Sequence, residues 1–103
     1  MVTSKITAVC GVPGSAFPAV KPGTPQVVAY VGSSVQSAAI GGAVVRVVST
    51  TDCHIVFGGN PTATATSMFL PAKVPEYFIC SPTDKAAVIQ DTAGGNLSIT
   101  PAV

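Results

Sequence analysis

A chain of 103 residues has the length of a single domain. Apolar residues make up 48% and charged residues only 9%, against roughly 25% charged in a typical globular protein; disordered chains have the opposite balance, so an ordered fold is expected. The net charge is +1, and Lys5, Lys21, Arg46, Lys73 and Lys85 are scattered among Asp52, Glu76, Asp84 and Asp91, which argues against a phosphate-binding face.

Residues 5–10 (KITAVC) alternate, with Ile6, Ala8 and Cys10 on one face and Lys5, Thr7 and Val9 on the other. Period two predicts a strand. The same segment superficially resembles a signal peptide, but its apolar stretch is short and broken by Gly11 and Pro13. It is read as a strand of the mature protein. No apolar run approaches the ~20 residues needed to span a bilayer. Residues 11–25 hold four prolines (13, 18, 22, 25) and three glycines. Proline fixes φ and has no N–H, so neither a helix nor a central strand is expected here. An extended, ordered arm or loop is expected, anchored by Val12, Phe17 and Val20.

Residues 26–31 predict a strand by β-branched and aromatic content. Residues 35–40 are a weaker one, ended by Gly41 and Gly42. Residues 43–50 (AVVRVVST) predict a strong strand buried on both faces, with Arg46 needing a partner or a rim position. Residues 52–58 (DCHIVFG) alternate again, and with the preceding strand should form a tight hairpin or one long bent strand. The turn GGNP (58–61) leads to TATAT (62–66), which is polar and compatible with a strand. Further strands are expected at 67–70, 76–81, 85–90 and 97–100, closed by Pro71, the turn at 82–84, the turn at 93–96 and Pro101 respectively. Eight or nine short strands with regular turn signals predict an all-β single domain over 1–103. The architecture expected is a jelly roll or β-barrel/sandwich of about eight antiparallel strands, the eight-stranded jelly roll fitting best.

Reactive groups are scarce. Cys53 and His54 are adjacent, and neighbours on a strand point to opposite faces, so they are not expected to share a metal ion. His54 is the only histidine, and no serine sits in a Gly-x-Ser-x-Gly elbow. It is expected to face solvent or a partner. Asp84 and Asp91 read as turn residues bonded to nearby amides. The glycine pairs 58–59 and 94–95 lack the lysine and helix of a phosphate loop. Cys10, Cys53 and Cys80 are odd in number and far apart, and read as reduced, buried hydrophobes, one bridge plus a free thiol being the alternative. No catalytic residue, metal or cofactor is expected, and the low charge favours a surface that lies against other proteins.

The segments CHIVFG (53–58), NPTA (60–63), FLPA (69–72), PEYF (75–78), DKAAVI (84–89) and LSIT (97–100) resemble small structural proteins encoded beside the capsid genes of tailed bacteriophages. The resemblance covers about half of the chain, on a domain-length scale. It implies a capsid cement or decoration protein, without catalytic residues, made in the host cytoplasm and placed on the virion surface. The implied partners are the major capsid protein and further copies of the chain, as a dimer or trimer, with neither nucleic acid nor membrane. Contact residues are expected in the arm (Val12, Phe17, Val20) and in the loop after residue 58 (Asn60, Thr62, Thr64). A head-to-tail or tail component, or a carbohydrate- or receptor-binding β-module, is the alternative.

Overall fold

The computed structural model describes residues Thr7–Val9, Ala16–Pro18 and 21–103. Every regular element among them is a strand. The first two, β1 (Thr7–Val9) and β2 (Ala16–Pro18), form an antiparallel pair with Ala8 opposite Phe17. So part of the proline-rich stretch is a short strand. Val12, Val20 and Cys10 lie outside the described residues.

The remaining eight strands form two antiparallel sheets. Sheet one has the order β3 (Gln26–Tyr30), β10 (Gly95–Ala102), β5 (Val44–Ser49), β8 (Glu76–Ile79). Sheet two has the order β4 (Val35–Gln36), β9 (Lys85–Gln90), β6 (Cys53–Gly58), β7 (Met68–Leu70). Alternation selects which side chains meet between them. Tyr30, Val45, Val47, Leu97 and Ile99 come from sheet one, and Cys53, Ile55, Leu70, Ala86 and Val88 from sheet two; all are fully or nearly fully buried in one core cluster. Phe57 and Phe78 extend it, their rings 5.4 Å apart.

The valines of β5 behave as their run predicts on one side and more unevenly on the other. Val45 and Val47 are in the core, while Val44 is buried and Val48 half-buried on the outer face. Arg46, also outward, is half-buried between Thr100 and Tyr77 on the neighbouring strands. The step from β5 to β6 differs from expectation. The two strands do not pair with each other, because the chain crosses from one sheet to the other at residues 50–52. The expected strand at 35–40 shrinks to Val35–Gln36. Beyond it the side chain of Gln26 brackets the Ala38 backbone, accepting from its N–H at 3.1 Å and donating to its carbonyl at 3.3 Å.

Pro101 does not end the last strand; it lies inside β10, opposite Val45. The reason is geometric. The Pro101 carbonyl accepts from Gly23 N–H at 2.7 Å, on the side away from β5. In an antiparallel ladder a residue's N–H and C=O point the same way. The missing N–H of Pro101 therefore removes no bond to β5.

The sheet crossings at one end of the molecule are tied by a polar knot. Tyr30 Oη lies 2.8 Å from the Thr51 carbonyl and 2.7 Å from Thr51 Oγ1, and accepts the Thr51 N–H at 3.2 Å. Thr51 Oγ1 in turn reaches the Ala93 carbonyl at 3.1 Å. Gly95 is a glycine for space: a Cβ there would fall 2.5 Å from Thr50 Oγ1 and 2.8 Å from Tyr30 Oη.

Candidate functional site

The strand β6 splits the Cys53–His54 pair as strand geometry requires. Cys53 faces the core. Burial pushes its thiol pKa up; the thiol form, not the nucleophilic thiolate, is favoured. Cys80 is also raised by burial and forms no disulfide among the described residues. Its thiol lies 3.2 Å from the Gly42 carbonyl.

His54 corrects the expectation of a solvent-facing ring. Its side chain is only 11% exposed. Nδ1 lies 2.9 Å from the Ser67 carbonyl, and Nε2 lies 2.9 Å from Asp91 Oδ1. Phe69 closes the ring's side edge-on at 5.5 Å. A carbonyl can only accept, so Nδ1 carries a proton. A carboxylate also only accepts, so Nε2 is satisfied when it carries one too. The geometry therefore fits the imidazolium. The hydrogen bond to Asp91, then that to the Ser67 carbonyl, holds the His54 pKa above the ordinary value near 6.5, against the smaller effect of burial. Asp91 is thus more than a turn residue. Asp84 is one, its Oδ2 accepting the Ser81 N–H at 3.0 Å, and Asp52 accepts the Ala72 N–H at 2.8 Å.

This histidine fastens a roof. The outer face of sheet two carries Gln36, His54, Val56, Ala87 and Ile89, and the connection 59–67 runs across it. Gln36 Nε2 donates to Asn60 Oδ1 at 2.9 Å and to the Pro61 carbonyl at 2.7 Å. Ser34 Oγ accepts the Ala63 N–H at 2.9 Å, and His54 holds Ser67. Pro61 and Ala63 are buried beneath the loop, and Ala87 is fully buried although it points away from the core. The TATAT segment, compatible with a strand in sequence, is part of this roof and not a strand.

The predicted contact residues divide accordingly. Asn60, Thr62 and Thr64 are exposed on the roof. The Asn60 side chain is engaged with Gln36, and Thr64 Oγ1 lies 3.0 Å from Thr66 Oγ1. Phe17 sits in β2, away from them in sequence. The structure places a different set, which the sequence reading missed, along one edge of each sheet. The short edge strands β7 and β8 each end their sheet, and the segment 68–79 carries Met68, Phe69, Val74, Tyr77 and Ile79, all exposed. Of the large apolar side chains exposed among the described residues, only Val27, Val31 and Val103 lie elsewhere. The available signal was the pair of short apolar runs MFL and EYFI bracketed by Pro71, Pro75 and Pro82.

Among the described residues no cluster of three or more His, Cys, Asp or Glu side chains is placed to hold a metal ion, and no helix is long and apolar enough to cross a membrane. A shallow depression on sheet one is lined by Val27, Val48, Thr50, Lys73, Asn96 and Ser98. Comparison with known protein families, with curated proteins and with solved structures finds no match to this chain.

Proposed function

We propose that this chain is a non-enzymatic structural protein of a tailed-phage virion, a cement protein that sits on the capsid shell and braces its subunits. The observation that carries its protein-binding character is the apolar flank of Met68, Phe69, Val74, Tyr77 and Ile79. Exposed apolar side chains concentrated along the two edge strands, Phe69 on the outer face of sheet two and Tyr77 and Ile79 on that of sheet one, mark a contact rim, whereas isolated ones do not. The low charge of the chain supports the same reading, since charged residues are depleted where proteins meet. The capsid as partner is supported by the sequence resemblance of residues 52–100.

The strand order, with β3, β10, β5 and β8 in one sheet and β4, β9, β6 and β7 in the other, reads as a jelly roll, an architecture used by viral shells and by lectins. In this reading the flank joins protein subunits, and the roof residues Asn60, Thr62 and Thr64, with the arm residues Val12, Phe17 and Val20, meet the major capsid protein. Many weak contacts repeated over a shell add up through multivalency.

The test is to add the purified chain to capsids that lack it. Co-sedimentation with the capsids, and a higher temperature of capsid disruption, are expected. Capsids that neither retain the protein nor gain heat resistance would overturn the reading. Binding to a glycan array with no binding to capsids would move it to the carbohydrate-binding class.

A further inference from the structure

The outermost strand of sheet one, β8, has one long edge that faces no other described strand. The pattern of its backbone groups can be worked out. Cys80 N–H donates to the Ala43 carbonyl at 2.8 Å, which makes Cys80 and Ala43 a hydrogen-bonded pair. Antiparallel alternation then turns Phe78 and Glu76 toward β5. Tyr77 and Ile79 point their N–H and C=O groups outward, to the open edge. Their side chains are 52% and 77% exposed on the outer face. An open edge of this kind is a template for another strand.

We propose that this edge is the seam of a two-fold homodimer, in which β8 pairs antiparallel with β8 of a second copy about an axis through Phe78. The inference rests on the flank being a contact surface, and names its occupant. The register follows from which backbone groups are free. An axis through Phe78 sets Tyr77 opposite Ile79 of the second copy, so each outward N–H and C=O gains a partner. An axis through Tyr77 would set Ile79 opposite Pro75, which has no N–H. An axis through Ile79 would set Tyr77 opposite Ser81, whose N–H is already held by Asp84 Oδ2 at 3.0 Å.

Side chains agree with that register. Tyr77 lies beside Ile79 of the second copy, an aromatic and β-branched cross-strand pair of the stabilising kind. Glu76 falls opposite Cys80, so no like charges face each other across the seam. Pro75 and Pro82 bracket the edge, which keeps the added ladder short. A two-fold contact uses the same edge on both copies and closes on itself, so it ends at two chains instead of running on as a fibre.

Sedimentation velocity on the full chain over a wide concentration range tests this. A dimer is expected for the wild type. Ile79→Lys, at a solvent-exposed position, should keep the far-ultraviolet dichroism of the fold and weaken dimerisation at least tenfold, an effect of a single lost apolar contact and an added charge. Glu76→Cys should oxidise to a covalent dimer with native Cys80 of the second copy, and the link should vanish when Cys80→Ser is added. A wild type that stays monomeric throughout, or a dimer indifferent to Ile79→Lys with no Glu76→Cys cross-link, overturns the seam. A monomer that still binds capsids would sink the seam and leave the proposed function standing. A dimer that ignores capsids would do the reverse.

Discussion

The two sheets treat their outer faces differently. Sheet two is roofed by its own chain: Ala87 is fully buried under the connection 59–67, and His54 and Gln36 hold that connection down. Sheet one is left largely open, with Val27 67% exposed at one edge and Tyr77 and Ile79 exposed at the other. Both faces mix apolar and polar side chains, Val27, Arg46, Tyr77 and Ile79 on sheet one and Gln36, His54, Val56 and Ile89 on sheet two, so exposure is not set by apolar character alone. It is set by whether a long connection returns across the face. The teaching is that an uncovered face with apolar side chains of its own is a place where another chain can substitute for the missing roof.

Substitution by lysine breaks the comparison most sharply. Ala87→Lys puts a long charged side chain under the roof, where it has neither space nor a partner. We expect a loss of about 3 kcal/mol in urea denaturation, in the range of unpaired buried charge and overpacking. Val27→Lys, on the open face, should cost less than about 0.5 kcal/mol. Equal losses at the two sites would show that the roof does not seal its face.

A second measurement separates the faces from the frame that joins them. Tyr30→Phe removes the hydroxyl at the knot and leaves Thr51 without that partner. A loss of about 1–2 kcal/mol is expected, with amide exchange quickening around residues 50–52 and 91–94 and not on the roof.

The roof also holds the sole histidine, so its hold on sheet two depends on pH. His54 is raised above its unfolded value near 6.5. The folded state therefore binds the proton more tightly than the unfolded one, and the contribution to stability is fully present below about pH 6.5. It is lost as pH rises through the higher folded value. Asp91, at 38% exposed, is partly screened by water, so the effect should be at most about 1 kcal/mol. Asp91→Asn should bring the His54 titration, followed by its ring proton resonances, back toward the ordinary value and flatten the stability profile. An unchanged titration would rule out the Asp91 contact. The smallest effect is expected for Thr62→Ala, within about 0.5 kcal/mol, because its side chain is exposed on the roof and the alanines beneath carry the burial.

Much of the fold was legible because alternation is local. β3, β5, β6, β8 and β9 lie where β-branched content, alternation and turn punctuation place them, within a residue or two at their ends. What was not legible depends on partners distant in sequence. His54 is met by Asp91, 37 residues on, and nothing in either neighbourhood announces the other. Residues 50–52 show no glycine or proline to mark a change of sheet, since the turn is stabilised by Tyr30 from another strand. Pro101 reads locally as a stop, and is tolerated only because its nitrogen faces away from β5. The 62–66 run alternates as a strand would, but only Ala63 in it is buried, against the back of a sheet. The flank was hidden for the same reason: two short apolar runs look like core until the topology puts both at an edge.

The position of β10 has a kinetic consequence. This strand, Gly95–Ala102, lies between β3 and β5, with partners 48 to 73 positions earlier in the chain. While the ribosome is still synthesising residues 1–94, β3 and β5 have no neighbour to join them, and sheet one cannot be assembled. Completion of sheet one therefore waits for β10, and loops of this size must close before its two ladders reward them. Until β10 docks, β3 has no partner in sheet one and β5 has only β8, which leaves apolar strand edges open to aggregation.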